Sequence, residues 1–389
     1  MILTEWLDEI PDDWACVPAW SLFSERADKA EPDAVHLTPS QAYGVLPQTE
    51  YMEITGNRVV LNLTGADNMK AVYEGDFISH LRSFQGGLEQ SSLRGKVSQA
   101  YTVLCPSPLV QSGYFRYLMK SRIFIEQLNN LTDQLRDGQT INYARFARMG
   151  LPLPPLESQR IIAQYLDQET GEIDAMLAKL DELTRNLKQR SGIVVANELK
   201  SHYLHGTIPL AFSSGADNFF DGDWVESKDQ DPDGDVRLLQ LADIGDGTFL
   251  DKSNRRINQE AFERLRCREV QAGDILIARM PHPLGRACIL PTGLGRTITV
   301  VDVAVLRPDP NRIIPKYLVY VLNSISFRAQ LDSLQSGSTR QRISRSRLGQ
   351  QRIPMPPVAL QRAAVSHLDE VTGRIDAMLT QIDELKALL

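Results

Sequence analysis

Apolar residues fall into two patterns along this chain. Short apolar or β-branched runs broken by glycine predict strands, and long stretches with a seven-residue apolar period predict helices. In the first half the strand-like runs are Tyr51–Thr55, Arg58–Leu63, Gly75–His80 and Ala100–Leu104. Residues 1–24 read as a short helix and a loop rich in Trp and Pro. Residues 114–130 read as helical, followed by a loop with Asp137-Gly138 and a short strand or turn around Ile141. In the second half the strand-like runs are Val236–Leu241, Asp274–Ala278, Ala287–Leu290 and Thr297–Leu306.

The strongest pattern is stated twice. Residues 151–183 read LPLPPLESQRIIAQYLDQETGEIDAMLAKLDEL, and residues 353–385 read IPMPPVALQRAAVSHLDEVTGRIDAMLTQIDEL. The offset is a constant 202 residues: Gln159 answers Gln361, Asp167 answers Asp369, and Asp174 answers Asp376. That period is far beyond the 20–50 residues of solenoids and propellers, so it implies a duplicated domain. The proline runs cannot be helical inside, because proline lacks the donor N–H and fixes φ. They are extended lead-ins to a helix. After the first, residues 157–190 hold no proline, and Leu166, Ile173, Leu180 and Leu187 recur every seventh residue, with Met176 and Leu183 three places on. The second copy repeats this with Leu368, Ile375, Ile382 and Leu389, and with Met378 and Leu385. These are heptad seams, and two in one chain predict an antiparallel coiled coil. The alternative is two amphipathic helices, each packed on its own domain. A helix of about 40 residues spans roughly 60 Å, enough to separate two domains.

The match extends past the helices. Gly75-Asp76-Phe77-Ile78 answers Gly273-Asp274-Ile275-Leu276, and Tyr114, Tyr117, Ser121, Phe124 and Leu128 answer Tyr317, Tyr320, Ser324, Phe327 and Leu331. Gly-Asp ahead of an apolar strand is a turn signal: glycine supplies φ > 0 and aspartate caps locally. Both halves are therefore expected to share one α+β fold, with differing loops.

Composition adds compartment and charge. No apolar run approaches the ~18 residues of a membrane span, and the acidic start MILTEWLDEIPDDW lacks a signal-peptide pattern. Cys16, Cys105, Cys267 and Cys288 are far apart, as expected of reduced thiols in a cytoplasmic protein. The net charge of −7 hides a segregation. Residues 217–251 carry a net −9, whereas residues 255–352 carry a net +10 with nearly all the bases arginine. An arginine-rich surface favours bidentate contacts to phosphates and guanine edges.

Catalytic motifs are missing. There is no GxxxxGK(S/T) phosphate loop, no GxGxxG after a strand, no (D/N)PP(Y/F) methyltransferase motif and no HExxH. Asp229-x-Asp231-x-Asp233-Gly234 resembles a calcium loop, but Pro232 interrupts it and Gln240 stands at the twelfth position. An acidic turn is the simpler account, and no metal ligands or catalytic residues are assigned. Asp223 and Glu226-Ser227-Lys228 lie too close together for a nuclease core.

The candidate DNA-reading residues sit on loops. Residues 337–345 place Thr339, Arg340, Arg342 and Arg345 within one short segment, and its counterpart in the first half carries Gln139, Thr140 and Asn142. After the Gly-Asp strands come Arg82 and Gln85 in the first half, and Arg279 and Arg286 in the second. Hydroxyls and arginines contact phosphate, while Gln, Asn and Arg read base edges. Turn and helix-capping roles are the bland alternative for each loop.

Together these motifs resemble the specificity subunit of a type I restriction–modification system. The resemblance rests on the Gly-Asp strand, the Tyr-x2-Tyr-x3-Ser helix, the proline lead-in and the QR…LD…TGxIDAML helix, each present twice, and it covers nearly the whole chain. It implies a target-recognition domain at 1–156, a central helix at 157–204, a linker at 205–222, a second target-recognition domain at 223–358 and a C-terminal helix at 359–389. Each domain would read one half of a bipartite double-stranded DNA site. The helices, through Leu166, Ile173, Leu180, Leu187, Leu368, Ile375 and Ile382, would pair, set the gap and dock two methyltransferase subunits, with restriction subunits joining them. S-adenosylmethionine, ATP and Mg would belong to those partners; this chain would hold no cofactor and catalyse nothing. The second helix ends at Leu389 where the family often continues, so a shortened helix pair is expected. A two-domain protein-binding scaffold without DNA specificity is the competing class.

Overall fold

The computed structural model describes residues 10–56, 69–80, 87–130, 141, 143–281, 283–334 and 342–389. The chain divides into two compact units, Met1–Ala175 and Met176–Leu389.

In the first unit, β1 (Ala15–Pro18) and β2 (Phe23–Glu25) flank a single 3-10 turn within the loop expected there, and residues 1–9, the start of the 1–24 stretch, lie outside the described residues. A hairpin of β3 (Leu37–Ser40) and β4 (Gly44–Pro47) leads into α1 (Gln48–Thr55). The Tyr51–Thr55 run is thus helical rather than extended. Gly56, at φ +68°, ends that helix by returning its N–H to the Met52 carbonyl at 2.9 Å. The Arg58–Leu63 run lies outside the described residues. Then follow β5 (Lys70–Val72), β6 (Phe77–Ser79), β7 (Leu88–Gln90), β8 (Gly95–Val97) and β9 (Val103–Pro106). Helices α2 (Ser112–Leu118), α3 (Arg122–Asn130) and the short α4 (Tyr143–Phe146) precede β10 (Gly150–Leu153). Residues 114–130 are two helices because Ser121 restarts the second, its Oγ accepting from Phe124 N at 3.3 Å.

The long helix α5 (Leu156–His202) runs without a break from the first unit into the second. There follow β11 (Thr207–Pro209), β12 (Ser214–Asp221), β13 (Val236–Leu239), β14 (Arg256–Ile257), α6 (Gln259–Leu265), β15 (Ile275–Ala278), β16 (Ala287–Ile289), β17 (Thr297–Thr299) and β18 (Val303–Pro308). The chain closes with α7 (Pro315–Asn323), α8 (Ile325–Asp332), α9 (Arg345–Gly349), β19 (Arg352–Pro354) and α10 (Val358–Leu388). Residues 205–222 are therefore not a linker. They supply β11 and β12, joined by a 3-10 turn at Leu210–Ser213. The Thr297–Leu306 run is split between two sheets: β17 lies parallel to β13, and β18 lies antiparallel to β15.

The duplication is visible in topology. The sheet β2-β9-β6-β7 in the first unit has the same order as β12-β18-β15-β16 in the second. Each proline lead-in is a strand, β10 on β1 and β19 on β11, both antiparallel. Each Gly-Asp turn is as the sequence implies, with Gly75 at φ +91° and Gly273 at φ +92°. The carboxylates of Asp76 and Asp274 are buried and accept from Tyr73 N and Gln271 N, both at 2.8 Å. Each also takes a bidentate arginine, Arg26 on Asp76 (2.7 and 2.7 Å) and Arg307 on Asp274 (2.7 and 2.8 Å). Arg26 follows β2 whereas Arg307 lies in β18. One ion pair has thus been built from neighbouring strands, and the sequence repeat does not show it.

A second duplicated device joins each long helix to its domain. Gln159 and Gln361 are fully buried. Gln159 accepts from Gln111 N at 2.8 Å and donates to the carbonyls of Leu109 and Pro154. Gln361 accepts from Ile314 N at 2.9 Å and donates to the carbonyls of Arg312 and Pro356. About two turns along, Tyr117 donates to Asp167 and Tyr320 to Asp369, each at 2.7 Å, backed by Arg116 and Lys316 respectively.

Within the second unit, α10 runs antiparallel to the end of α5. Asp181 meets Lys386 at one end, and Glu198 meets His367 nearer the other. Leu187, Ile375 and Ile382 form the seam with Leu180, Val371 and Leu379. Leu368 is buried as well, while in the first unit Leu166 and Ile173 are half-buried. The d-row residues Met176, Leu183, Met378 and Leu385 are instead 42–46% exposed. The buried stripe is thus narrower than a full a/d seam, and an apolar row is left facing out.

Candidate nucleic-acid interface

Seven of the predicted DNA-reading residues, Arg82, Gln85, Gln139, Thr140, Asn142, Thr339 and Arg340, lie outside the described residues. The other four are Arg279, Arg286, Arg342 and Arg345. Three of them converge, although Arg279 follows β15 while Arg342 and Arg345 lie before and at the start of α9, far apart in sequence.

Arg279 directly follows β15, and its side chain is only 5% exposed. Its guanidinium pairs with Asp221 at the end of β12. Arg345, at the start of α9, lies 3.6 Å from the other oxygen of Asp221 and donates to the Phe219 carbonyl at 3.0 Å. Arg342 pairs with Asp302 at 3.1 Å and donates to the Val301 carbonyl at 3.2 Å. The segment is anchored by Ile343, which is buried and donates its N–H to the Arg279 carbonyl at 3.1 Å. Ser344 caps α9 by accepting from Arg347 N. A cleft of about 370 Å³ opens between these residues. Burial pushes the Arg279 pKa down and Asp221 pushes it back up, while Arg342 beside it lowers it again. Three guanidinium groups against two carboxylates leave a net positive surface, and among the described residues no partner meets the buried Arg279 Nε. Such a site attracts phosphate.

Arg286 does not join this cluster. Its three nitrogens donate to the carbonyls of Ile244, Leu241 and Pro283 at 2.8–3.2 Å. It is a strut that ties the 241–244 turn to β16, its charge opposed by burial. The acidic segment is likewise committed internally: Asp229 pairs with Arg264, and Asp231 accepts from Asp233 N and Asn258 Nδ2. Among the described residues no group of three or more His, Cys, Asp or Glu is placed to hold a metal ion.

A second cleft, of about 790 Å³, was not apparent in the sequence. Its floor is the carboxyl end of the parallel pair β13 and β17, at Gln240 and Val300. Its walls are the Asp223–Ser227 segment, with Trp224 67% exposed, and residues 252–255. Asp302 lines this cleft and also pairs with Arg342, so the arginine cluster adjoins it. The only signal in the sequence is the switch from acidic to basic residues near position 252.

Comparison with known proteins fits this geometry. Residues 221–387 match the family model for the type I restriction modification DNA specificity domain. The chain is 22% identical over 302 residues to the type I restriction enzyme EcoKI specificity subunit of Escherichia coli K12, covering 73% of this chain and 64% of that one. It thus spans less than two thirds of that relative's length. Among solved structures, the fold matches a chain of a type I R-M system described for its complex assembly and conformational transition, with TM-score 0.63 and 17% identity over 97% of this chain and 95% of that one. It also matches the HsdS subunit from Thermoanaerobacter tengcongensis, with TM-score 0.53 and 18% identity over 99% and 97% of the two chains. The family match thus falls on the second half of the chain. The first half repeats the turn, helix and sheet order of the matched half.

Proposed function

We propose that this chain is the DNA-recognition subunit of a type I restriction–modification complex. Each half reads one part of a bipartite duplex site, and the duplicated long helix spaces the two. The observation that carries this reading is the convergence of Arg279, Arg342 and Arg345 on one basic surface of the half that the family model matches. The first half would do the same through the segments holding Arg82, Gln85, Gln139, Thr140 and Asn142. The outward apolar row Met176, Leu183, Met378 and Leu385 supports docking of two methyltransferase subunits, since two copies of one motif offer the same surface twice. The chain itself is non-catalytic in this reading. S-adenosylmethionine, ATP and Mg act in the methyltransferase and restriction subunits. No helix among the described residues is long and apolar enough to cross a membrane.

The test is selection from randomised duplexes by the chain assembled with its neighbouring methyltransferase subunit. Enrichment of two short half-sites at fixed spacing, weakening steeply with salt, is the expected result. An assembled complex that enriches no sequence would leave the scaffold reading in its place.

A further inference from the structure

The arginine cluster is well made for phosphate and poorly made for reading bases. A guanidinium reads guanine with two free parallel N–H groups. Here Arg279 is spent on Asp221, Arg342 on Asp302 and the Val301 carbonyl, and Arg345 on the Phe219 carbonyl and Asp221. What remains is charge, which holds a phosphate without distinguishing one base from another.

The adjoining cleft has the opposite character. Its 252–255 rim is held by a fully buried carboxylate: Asp243 accepts from the backbone N–H groups of Lys252 and Ser253 at 2.8 and 2.7 Å, and from Gln240 N at 2.7 Å. Three backbone donors on one carboxylate lock the rim against the end of β13. Leu238 N adds a bond to the Arg255 carbonyl at 2.9 Å, and Ser253 Oγ one to the Leu238 carbonyl. The side chains on this rigid segment are largely unspent. Lys252 and Asn254 are exposed, and among the described residues neither side chain bonds to protein. Arg255 makes one contact, to Gln230. Trp224 stands across the cleft with its indole open to solvent. A fixed backbone bearing free donors and acceptors is what precise readout needs.

We propose that the 252–255 rim beside Trp224 is the base-reading element of the second half, with Asn254 and Lys252 as its specificity-determining residues, and that the arginine cluster holds the flanking phosphates. The inference rests on DNA recognition by this chain and names where in the second half it is done. Asn254 pairs bidentately with an adenine edge, and Lys252 donates to guanine O6 and N7. The contact between Asp302 and Arg342 puts the two surfaces side by side, so one stretch of duplex meets both.

The experiment is duplex selection by the full chain with its methyltransferase subunit, comparing wild type, Asn254→Ala, Lys252→Ala and Arg342→Ala. Asn254→Ala and Lys252→Ala should each make one base-pair position of a single half-site degenerate, with discrimination there falling about 10-fold and the other half-site unchanged. Arg342→Ala should leave the motif intact while binding weakens evenly and its salt dependence becomes shallower. A wild-type motif reproduced unaltered by both rim variants would overturn the proposal while leaving DNA recognition standing. A wild-type complex that selects no motif would remove DNA recognition and this inference together.

Discussion

Replacing Gln361 with alanine tests whether the long helix is fixed to its domain by one buried side chain. Gln361 is fully buried, accepts from Ile314 N at 2.9 Å, and donates to the carbonyls of Arg312 and Pro356 at 3.0 and 2.9 Å. Truncation leaves the half-buried Ile314 N–H without its acceptor, costing about 1–3 kcal/mol, and removes two further bonds at about 1 kcal/mol each. The sum is about 4 kcal/mol. For a unit of this size, each kcal/mol moves the melting temperature by roughly 2–4 °C, so the transition of the second unit should fall by about 10 °C. Hydrogen exchange should locate the damage, with loss of protection concentrated at residues 312–318 and 356–361. Gln361→Glu sharpens the test. The introduced carboxylate can still accept from Ile314 but faces two carbonyls, so that variant should regain stability as pH falls and the carboxyl takes up a proton. A loss below 1 kcal/mol, or unchanged exchange at Ile314, would refute the reasoning.

Other expectations follow from the same geometry. Arg345→Ala should weaken DNA binding without changing the preferred sequence and lower the slope of log affinity against log salt by about 1, measured by titration at several ionic strengths. Burial pushes the Asp223 carboxyl up to about 6, against the opposing hydrogen bond from Arg268 N. A folded-state pKa above the unfolded value means that the native form binds the extra proton. Its stabilising contribution is therefore full below about pH 4 and lost as pH rises through about 6. Asp223→Asn should remove that part of the pH dependence in melts between pH 4 and 7, and an unchanged profile would contradict the assignment. Met378→Glu and Leu385→Glu change exposed positions. They should leave the melting temperature within about 2 °C while reducing co-purification of the methyltransferase subunit, and undiminished co-purification would rule out that face.

What the sequence disclosed depended on whether a signal was local. The Gly75-Asp76 and Gly273-Asp274 turns were legible because a positive φ and a capping carboxylate are properties of adjacent residues. The 202-residue offset exposed the duplication and both long helices, since a heptad period is written along one element. Ser121 and Ser324 carried a signal that a single-helix reading passed over: each restarts a helix, Ser324 accepting from Phe327 N at 3.3 Å. The non-local features were hidden. Arg26 and Arg307 perform one task from different strands, so no alignment of the halves pairs them. The 205–222 segment looks like linker by composition, and only the pairing of β11 with β19 and of β12 with β18 makes it sheet. Among the candidate site residues, the meeting of Arg279 with Arg345 depends on Asp221, which the sequence gives no reason to place between them. The Asn254 rim depends likewise on Asp243.

The most direct test of the account is methylome sequencing of cells expressing this chain with its neighbouring methyltransferase subunit, against the methyltransferase alone. The account predicts N6-methyladenine in one bipartite motif that appears only when this chain is present. A methyltransferase shown to be active in the same cells, with no motif added by this chain, would contradict it.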